Sequence, residues 1–235
     1  MLDSFLVALF VNEIFWIIRD VGMSRSSKRW NQEHQHDLYV KKAHKEKYRS
    51  RSAYKLIQIQ EKFQVMRPGD WILDLGSAPG GWSQVAAGIS GERGRVVSVD
   101  LVKMDPFPGV RIVQGDIMED SGIEKIRSEL EGRKADLILS DMASNTTGIA
   151  SVDHDRSVLL VDAVLELVPL FLRHGGGLIF KVFQGKDFKT LKEKAFSLFE
   201  KGRVFKPDAS RSRSVEVYLI GMQYRGIGLF PGSMV

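Results

Sequence analysis

The chain has 235 residues, 43% hydrophobic and 27% charged, with a formal net charge of +5. Those values exclude a mostly disordered chain, a collagen-like chain and a multi-span membrane protein, and the length suits one large domain better than two. There is no cysteine, which excludes a disulfide framework, a thiolate zinc site and a cysteine nucleophile, and fits a reducing cytoplasm.

The chain opens with two apolar runs, Phe5–Val11 and Ile14–Ile18, broken by Asn12 and Glu13. They fall short of the roughly 20 apolar residues a membrane span needs. Asp3 stands where a signal peptide would carry basic residues. Met23 then begins Met-Ser-Arg-Ser-Ser-Lys-Arg, so residues 1–22 read as an upstream extension, with a short amphipathic docking helix as the alternative. No stable membrane partner is expected.

From Ser24 to Lys55 the chain carries ten basic residues: Arg25, Lys28, Arg29, Lys41, Lys42, Lys45, Lys47, Arg49, Arg51 and Lys55. Only Glu33, Asp37 and Glu46 oppose them. A second basic stretch, Lys201–Arg213, holds Lys201, Arg203, Lys206, Arg211 and Arg213 against Asp208. A single charge run is usually a solvated face. Two runs, the first interleaved with Trp30, Tyr39, Tyr48 and Tyr54, favour a polyanion, with RNA or DNA the first candidate. Within the first run, Arg51–Phe63 has helical spacing, and what precedes it reads as a mobile arm.

Beyond Pro68-Gly69 strand-like and helix-like blocks alternate. The strands are Trp71–Leu75, Arg95–Asp100, Val110–Asp116, Asp136–Asp141, Leu178–Phe183 after a Gly175–Gly177 turn, and Val215–Ile220. Helical patterns fill Trp82–Ile89, Ile123–Leu130, Val158–Leu172 and Phe188–Phe199. Alternation of this kind predicts an α/β fold with a doubly wound, mostly parallel sheet, Rossmann-like in layout. Ligands of such sheets lie beyond the carboxyl ends of the strands. Asp74, Asp100, Asp116 and Asp141 gather there, more acids than helix N-caps alone would explain.

The turn Asp74-Leu-Gly-Ser-Ala-Pro-Gly-Gly-Trp82 joins the first strand to a helix. Ala78 stands where a dinucleotide fingerprint needs its second glycine, which disfavours a pyrophosphate and a nicotinamide oxidoreductase. Asp100, at the end of the second strand, suits the hydroxyls of a ribose. Asp116 suits an adenine amino group. An adenosine without phosphates is the ligand implied.

These residues, with Ser-Asp-Met-Ala at 140–143, Lys-Val-Phe-Gln-Gly at 181–185 and Ser-Arg-Ser-Arg-Ser-Val-Glu-Val-Tyr at 210–218, resemble the FtsJ/RrmJ family. The likeness runs from about Arg25 to Met222. It implies an S-adenosylmethionine-dependent 2′-O-methyltransferase of a uridine ribose in the 23S rRNA of the large ribosomal subunit. It also implies a catalytic tetrad of Lys55, Asp141, Lys181 and Glu216, and a cofactor site of Gly80, Trp82, Asp100, Asp116 and Asp141. Lys181 would act as base or as orienting group. Where the family has Pro after Asp-Met-Ala, this chain has Ser144 before Asn145.

The expected organisation is an extension over 1–22, a basic RNA-binding arm and helix over 23–67, a methyltransferase domain over 68–222 and a tail over 223–235. A cytoplasmic monomer without metal is expected, since His34, His36, His44, His154 and His174 lack ligand spacing. Two other readings stay open: a tRNA ribose methyltransferase of the same fold, and an RNA-binding module that lost catalysis. The second conflicts with the intact tetrad.

Overall fold

The computed structural model describes residues 38–143 and 150–226, except the side chains of 150–154. The extension over 1–22, the basic residues up to Arg29, and Ser144 with Asn145 lie outside the described residues. The chain divides into two units, residues 1–41 and 42–235. The second contains the sheet and the site.

Seven strands form one sheet: β1 Trp71–Leu75, β2 Arg95–Asp100, β3 Val110–Gln114, β4 Ala135–Ser140, β5 Leu172–Phe183, β6 Phe199–Phe205 and β7 Glu216–Tyr224. Their order is β3-β2-β1-β4-β5-β7-β6. β1 to β5 pair in parallel, and β7 runs antiparallel to both β5 and β6. The helices are α1 Leu38–Glu46, α2 Ala53–Phe63, α3 Gly81–Ser90, α4 Asp120–Glu129, α5 Ala150–Phe171 and α6 Phe188–Ser197. This is the doubly wound sheet predicted from the alternation.

Strands buried on both faces read as apolar runs, because helices cover the two sides of a parallel sheet. Leu73, Val97, Ile138, Leu178, Phe180 and Leu219 face one core, which holds residues of α4, α5 and α6. Ile72, Val96, Leu139, Ile179, Tyr218 and Ile220 face the other, with Leu56 and Ile59 of α2 and Trp82 and Val85 of α3. Side chains along a strand alternate between faces. Asp74, Ser98, Asp100, Asp141, Lys181 and Glu216 stand at alternate positions continuing the second set. The chemistry-bearing residues therefore share the α2/α3 side of the sheet.

Three features differ from expectation. β6 occupies residues read as the end of a helix, at Phe199, and as the start of a basic stretch, from Lys201: its Glu200, Lys201, Arg203 and Val204 are exposed, so this edge strand has no apolar run to reveal it. α1 is helical where a mobile arm was expected, its pattern hidden by Lys41, Lys42 and Lys45. β5 begins at Leu172 and takes in Gly175–Gly177, with an irregular register against β4 between Ala135 and Leu137.

Candidate active site

At the carboxyl end of β1 the chain turns sharply into α3. Gly76 has φ +68°, and a Cβ there would fall 2.0 Å from Met142 Cγ. Only glycine takes this conformation and this proximity together. Gly80 has φ +106° and stands immediately before α3. Asp100 ends β2 beside the turn, its Oδ2 accepting the Ala78 amide and its Oδ1 the Val102 amide, both at 2.8 Å. Each oxygen keeps a second lone pair for an incoming hydroxyl. Asp116 follows β3, and its Oδ1 accepts the Met118 amide at 2.8 Å. A tight bare turn flanked by two carboxylates with spare acceptor capacity fits an adenosyl group. The first amides of α3 have no intrahelical partner and complete the cradle. Trp82 contributes differently: its indole N–H donates to Ser52 O at 2.9 Å, and its ring lies 5.5 Å from that of Tyr218.

The four residues of the expected tetrad converge on one crevice. Ser140 pairs with Phe180 across β4 and β5, which sets Asp141 beside Lys181. Lys181 pairs with Tyr218 across β5 and β7, and Phe183 with Glu216. Lys181 Nζ donates to Asp141 Oδ1 at 2.9 Å and to the Asp141 carbonyl at 2.6 Å. From α2, Lys55 Nζ meets Glu216 Oε1 at 2.6 Å. The side chains of Lys181, Lys55 and Glu216 are only 6%, 11% and 10% exposed, so both ion pairs sit largely out of water, where unpaired charges are costly. Burial pushes the Asp141 carboxyl up. The Lys181 and Lys55 charges and the hydrogen bonds from Tyr218 and Lys181 outweigh it and hold Asp141 below the ordinary carboxylate range.

One element of the site escaped the sequence, and a second was read there without its buried setting. Tyr218, fully buried, donates its hydroxyl to Asp141 Oδ1 at 2.6 Å and places its ring 5.7 Å from Lys55 Nζ. Burial, then the charges of Asp141 and Glu216, raise its phenol well above the usual value. Its signal was present: Tyr218 stands two residues after Glu216, hence on the same face. The second is Asp74. It is 1% exposed, and it accepts the Ser83 hydroxyl at 2.6 Å, with Ser98 Oγ 2.5 Å from Ser83 Oγ. Burial pushes its carboxyl up to about 7 despite the Ser83 bond, with Asp141 and Asp100 adding to the rise. Asp74 thus belongs to a buried polar chain under the turn. Among the described residues no group of three His, Asp or Glu side chains is arranged to hold a metal ion.

In sequence and fold the chain is similar to known methyltransferases. Residues 48–224 match the family model of the FtsJ-like methyltransferases. The chain is 48% identical over 203 residues to the ribosomal RNA large subunit methyltransferase E of Stutzerimonas stutzeri, covering 86% of this chain and 98% of that relative. It is 43% identical over 206 residues to the protein of that name in Pseudomonas aeruginosa, covering 88% and 100%. A solved structure from Plasmodium falciparum, described as a ribosomal RNA methyltransferase, superposes with a TM-score of 0.69 at 31% identity, over 76% of this chain and 100% of that one. Fibrillarin of Aeropyrum pernix, solved with S-adenosylmethionine, shares the fold at 18% identity, over 74% of this chain and 75% of its own, with a TM-score of 0.51. The chain belongs to the FtsJ-like methyltransferase family, enzymes whose methyl donor is S-adenosylmethionine.

Proposed function

We propose that this enzyme methylates the 2′-hydroxyl of a uridine ribose in 23S rRNA of the large ribosomal subunit, working in the cytoplasm as a monomer. The carrying observation is the meeting of two buried ion pairs, Lys181–Asp141 and Lys55–Glu216, at the end of the sheet that also holds the glycine turn. The names of its relatives, ribosomal RNA large subunit methyltransferase E, support the substrate. The basic residues of α1 and of the stretch leading to Lys55 suit an RNA backbone.

When bound, S-adenosylmethionine supplies an electrophilic methyl group that needs no further activation. The protein must aim the ribose oxygen in line with it and dispose of the hydroxyl proton. Gly80, Asp100, Asp116 and the first turn of α3 would hold the adenosyl part. Lys181 spends two donors on Asp141, and a third remains for the 2′-oxygen. Lys181 would therefore aim the 2′-hydroxyl or accept its proton as the oxygen–carbon bond forms, with Asp141 fixing its direction. Lys55 and Glu216 brace the opposite wall.

Ribose methylation mapped across rRNA and tRNA from a strain lacking the gene tests this reading. One uridine of 23S rRNA loses its 2′-methyl group, and the wild-type gene restores it while Lys181→Ala does not. An unchanged map of 23S rRNA overturns the proposal, and a methyl group lost from tRNA would favour the tRNA enzymes of the same fold.

A further inference from the structure

Between α1 and α2 a short strap, Lys47–Ser52, lies directly on the cofactor turn. Gln84, on the first turns of α3, grips it twice: Arg49 N donates to Gln84 Oε1 at 2.7 Å, and Gln84 Nε2 donates to Lys47 O at 3.2 Å. Arg49 reaches over the turn. Its guanidinium stands 4.1 Å from the centroid of the Phe107 ring, and NH1 donates to Pro79 O at 3.3 Å. Together they press on Gly80, where a Cβ would lie 3.0 Å from Phe107 and 3.1 Å from Arg49 Cδ. A Cβ on Gly81 would fall 2.1 Å from Ser50 Oγ. At its far end the strap joins the catalytic side, because Ser52 O accepts both the Trp82 indole and the Lys55 amide at 2.9 Å.

The strap therefore touches the residues that would hold the cofactor and leads straight into Lys55. It also carries Lys47, Arg49 and Arg51. A guanidinium can stack on a ring by its face while its edge binds phosphate. Arg49 does the first already, and its remaining donors are available for the second. A phosphate held at that edge would fix the stack on Phe107, and with it the Pro79–Gly80 turn.

We propose that the Lys47–Ser52 strap couples RNA binding to cofactor binding with positive cooperativity, and that Arg49, Phe107 and Gln84 are its positioning residues. This rests on the RNA-substrate reading above. Coupling of this kind is reciprocal, since each ligand changes the other's affinity by the same factor.

The test measures the dissociation constant of S-adenosylhomocysteine, which cannot react, with the full chain alone and with saturating large ribosomal subunits from a strain lacking the enzyme. Co-sedimentation of the enzyme with the subunits is recorded alongside. Wild type should bind S-adenosylhomocysteine about 5- to 150-fold more tightly in the presence of subunits, the usual span of such couplings. Gln84→Ala and Phe107→Leu should each bring that ratio close to one while both ligands still bind. A purely structural strap would weaken the two ligands independently and leave the ratio intact, which overturns the proposal. A wild-type ratio of one, with both ligands bound, also overturns it and leaves the RNA reading standing. Failure of wild type to sediment with subunits at all overturns both.

Discussion

The hydroxyl of Tyr218 and the ammonium of Lys181 meet on one atom, Asp141 Oδ1, at 2.6 and 2.9 Å. Two donors on a single oxygen fix the carboxylate in its plane and favour its charged form. Tyr218→Phe keeps the ring against Trp82 and removes one donor. The Asp141 pKa, depressed in the folded chain, should rise. The carboxylate then takes up its proton at a higher pH, so the acid limb of the rate profile moves upward. A hydrogen bond to a charged group contributes about 1.5–3 kcal/mol, so turnover should fall by roughly ten- to a hundredfold if the full bond acts in the transition state. Single-turnover rates across pH check both effects.

Lys181→Ala should leave the cofactor cradle whole, since Lys181 spends its hydrogen bonds on Asp141, whereas Asp100 is held by the Ala78 and Val102 amides. Methyl transfer should drop by ~10²–10⁴-fold, the span for a positioned proton-transfer group. Lys181→Arg should not rescue it, because the planar fork of a guanidinium cannot reproduce the geometry around Asp141. Transfer to ribosomal particles at saturating cofactor is the assay, with calorimetric cofactor binding as the control.

Asp74 gives a stability signature. Its carboxyl titrates near 7 in the folded chain against an ordinary value of 3.8. Below about pH 4 both folded and unfolded chains hold the proton. Between about pH 4 and 7 only the folded chain keeps it, so stability falls as pH rises, and above pH 7 it levels off. A shift of about three units corresponds to about 4 kcal/mol. Asp74→Asn retains an acceptor for Ser83 and abolishes this contribution. Chemical denaturation at pH 5 and pH 8 should show the variant losing less stability across that interval than wild type does.

Asp100→Ala removes two acceptors from the Ala78 and Val102 amides as well as the proposed ribose contact. Cofactor affinity should weaken by at least about 1.5–3 kcal/mol, with RNA affinity weakened only through the strap. Calorimetry with S-adenosylhomocysteine settles it, and unchanged affinity would remove Asp100 from the site.

Reversing Lys41, Lys42 and Lys45 of α1 to Glu should weaken RNA binding and flatten its dependence on salt, because fewer counterions are released. An unchanged slope would direct attention to Lys201–Arg213.

Most of the sheet was legible because parallel strands such as Trp71–Leu75 and Arg95–Asp100 are buried on both faces and stand out as apolar runs between glycine turns. β6 was not, since a half-exposed edge strand mixes Glu200, Lys201 and Arg203 with few apolar residues. The tetrad was legible only as motifs scattered from residue 55 to residue 216. What brings it together is the strand order β4-β5-β7, and the reversal of β7 is not written in local spacing. Asp74 was read as one of four acids at a ligand edge. Its burial against Ser83 and Ser98 depends on how α3 lies over β1 and β2, a tertiary fact.

The alternation that sets Leu139, Asp141, Ile179, Lys181, Glu216 and Tyr218 on one side of the sheet makes the active site intolerant of odd-numbered length changes. A single residue deleted between Leu178 and Lys181 would turn the lysine toward α5 and bring Val182 to the crevice, converting an ion pair into a greasy wall. Loss of two residues would keep the parity but shift Lys181 away from Asp141 by one pleat. Drift in the lengths of such enzymes should therefore accumulate in the loops before β4 and after β5, while the last residues of β4 and β5 and the first of β7 vary by substitution alone.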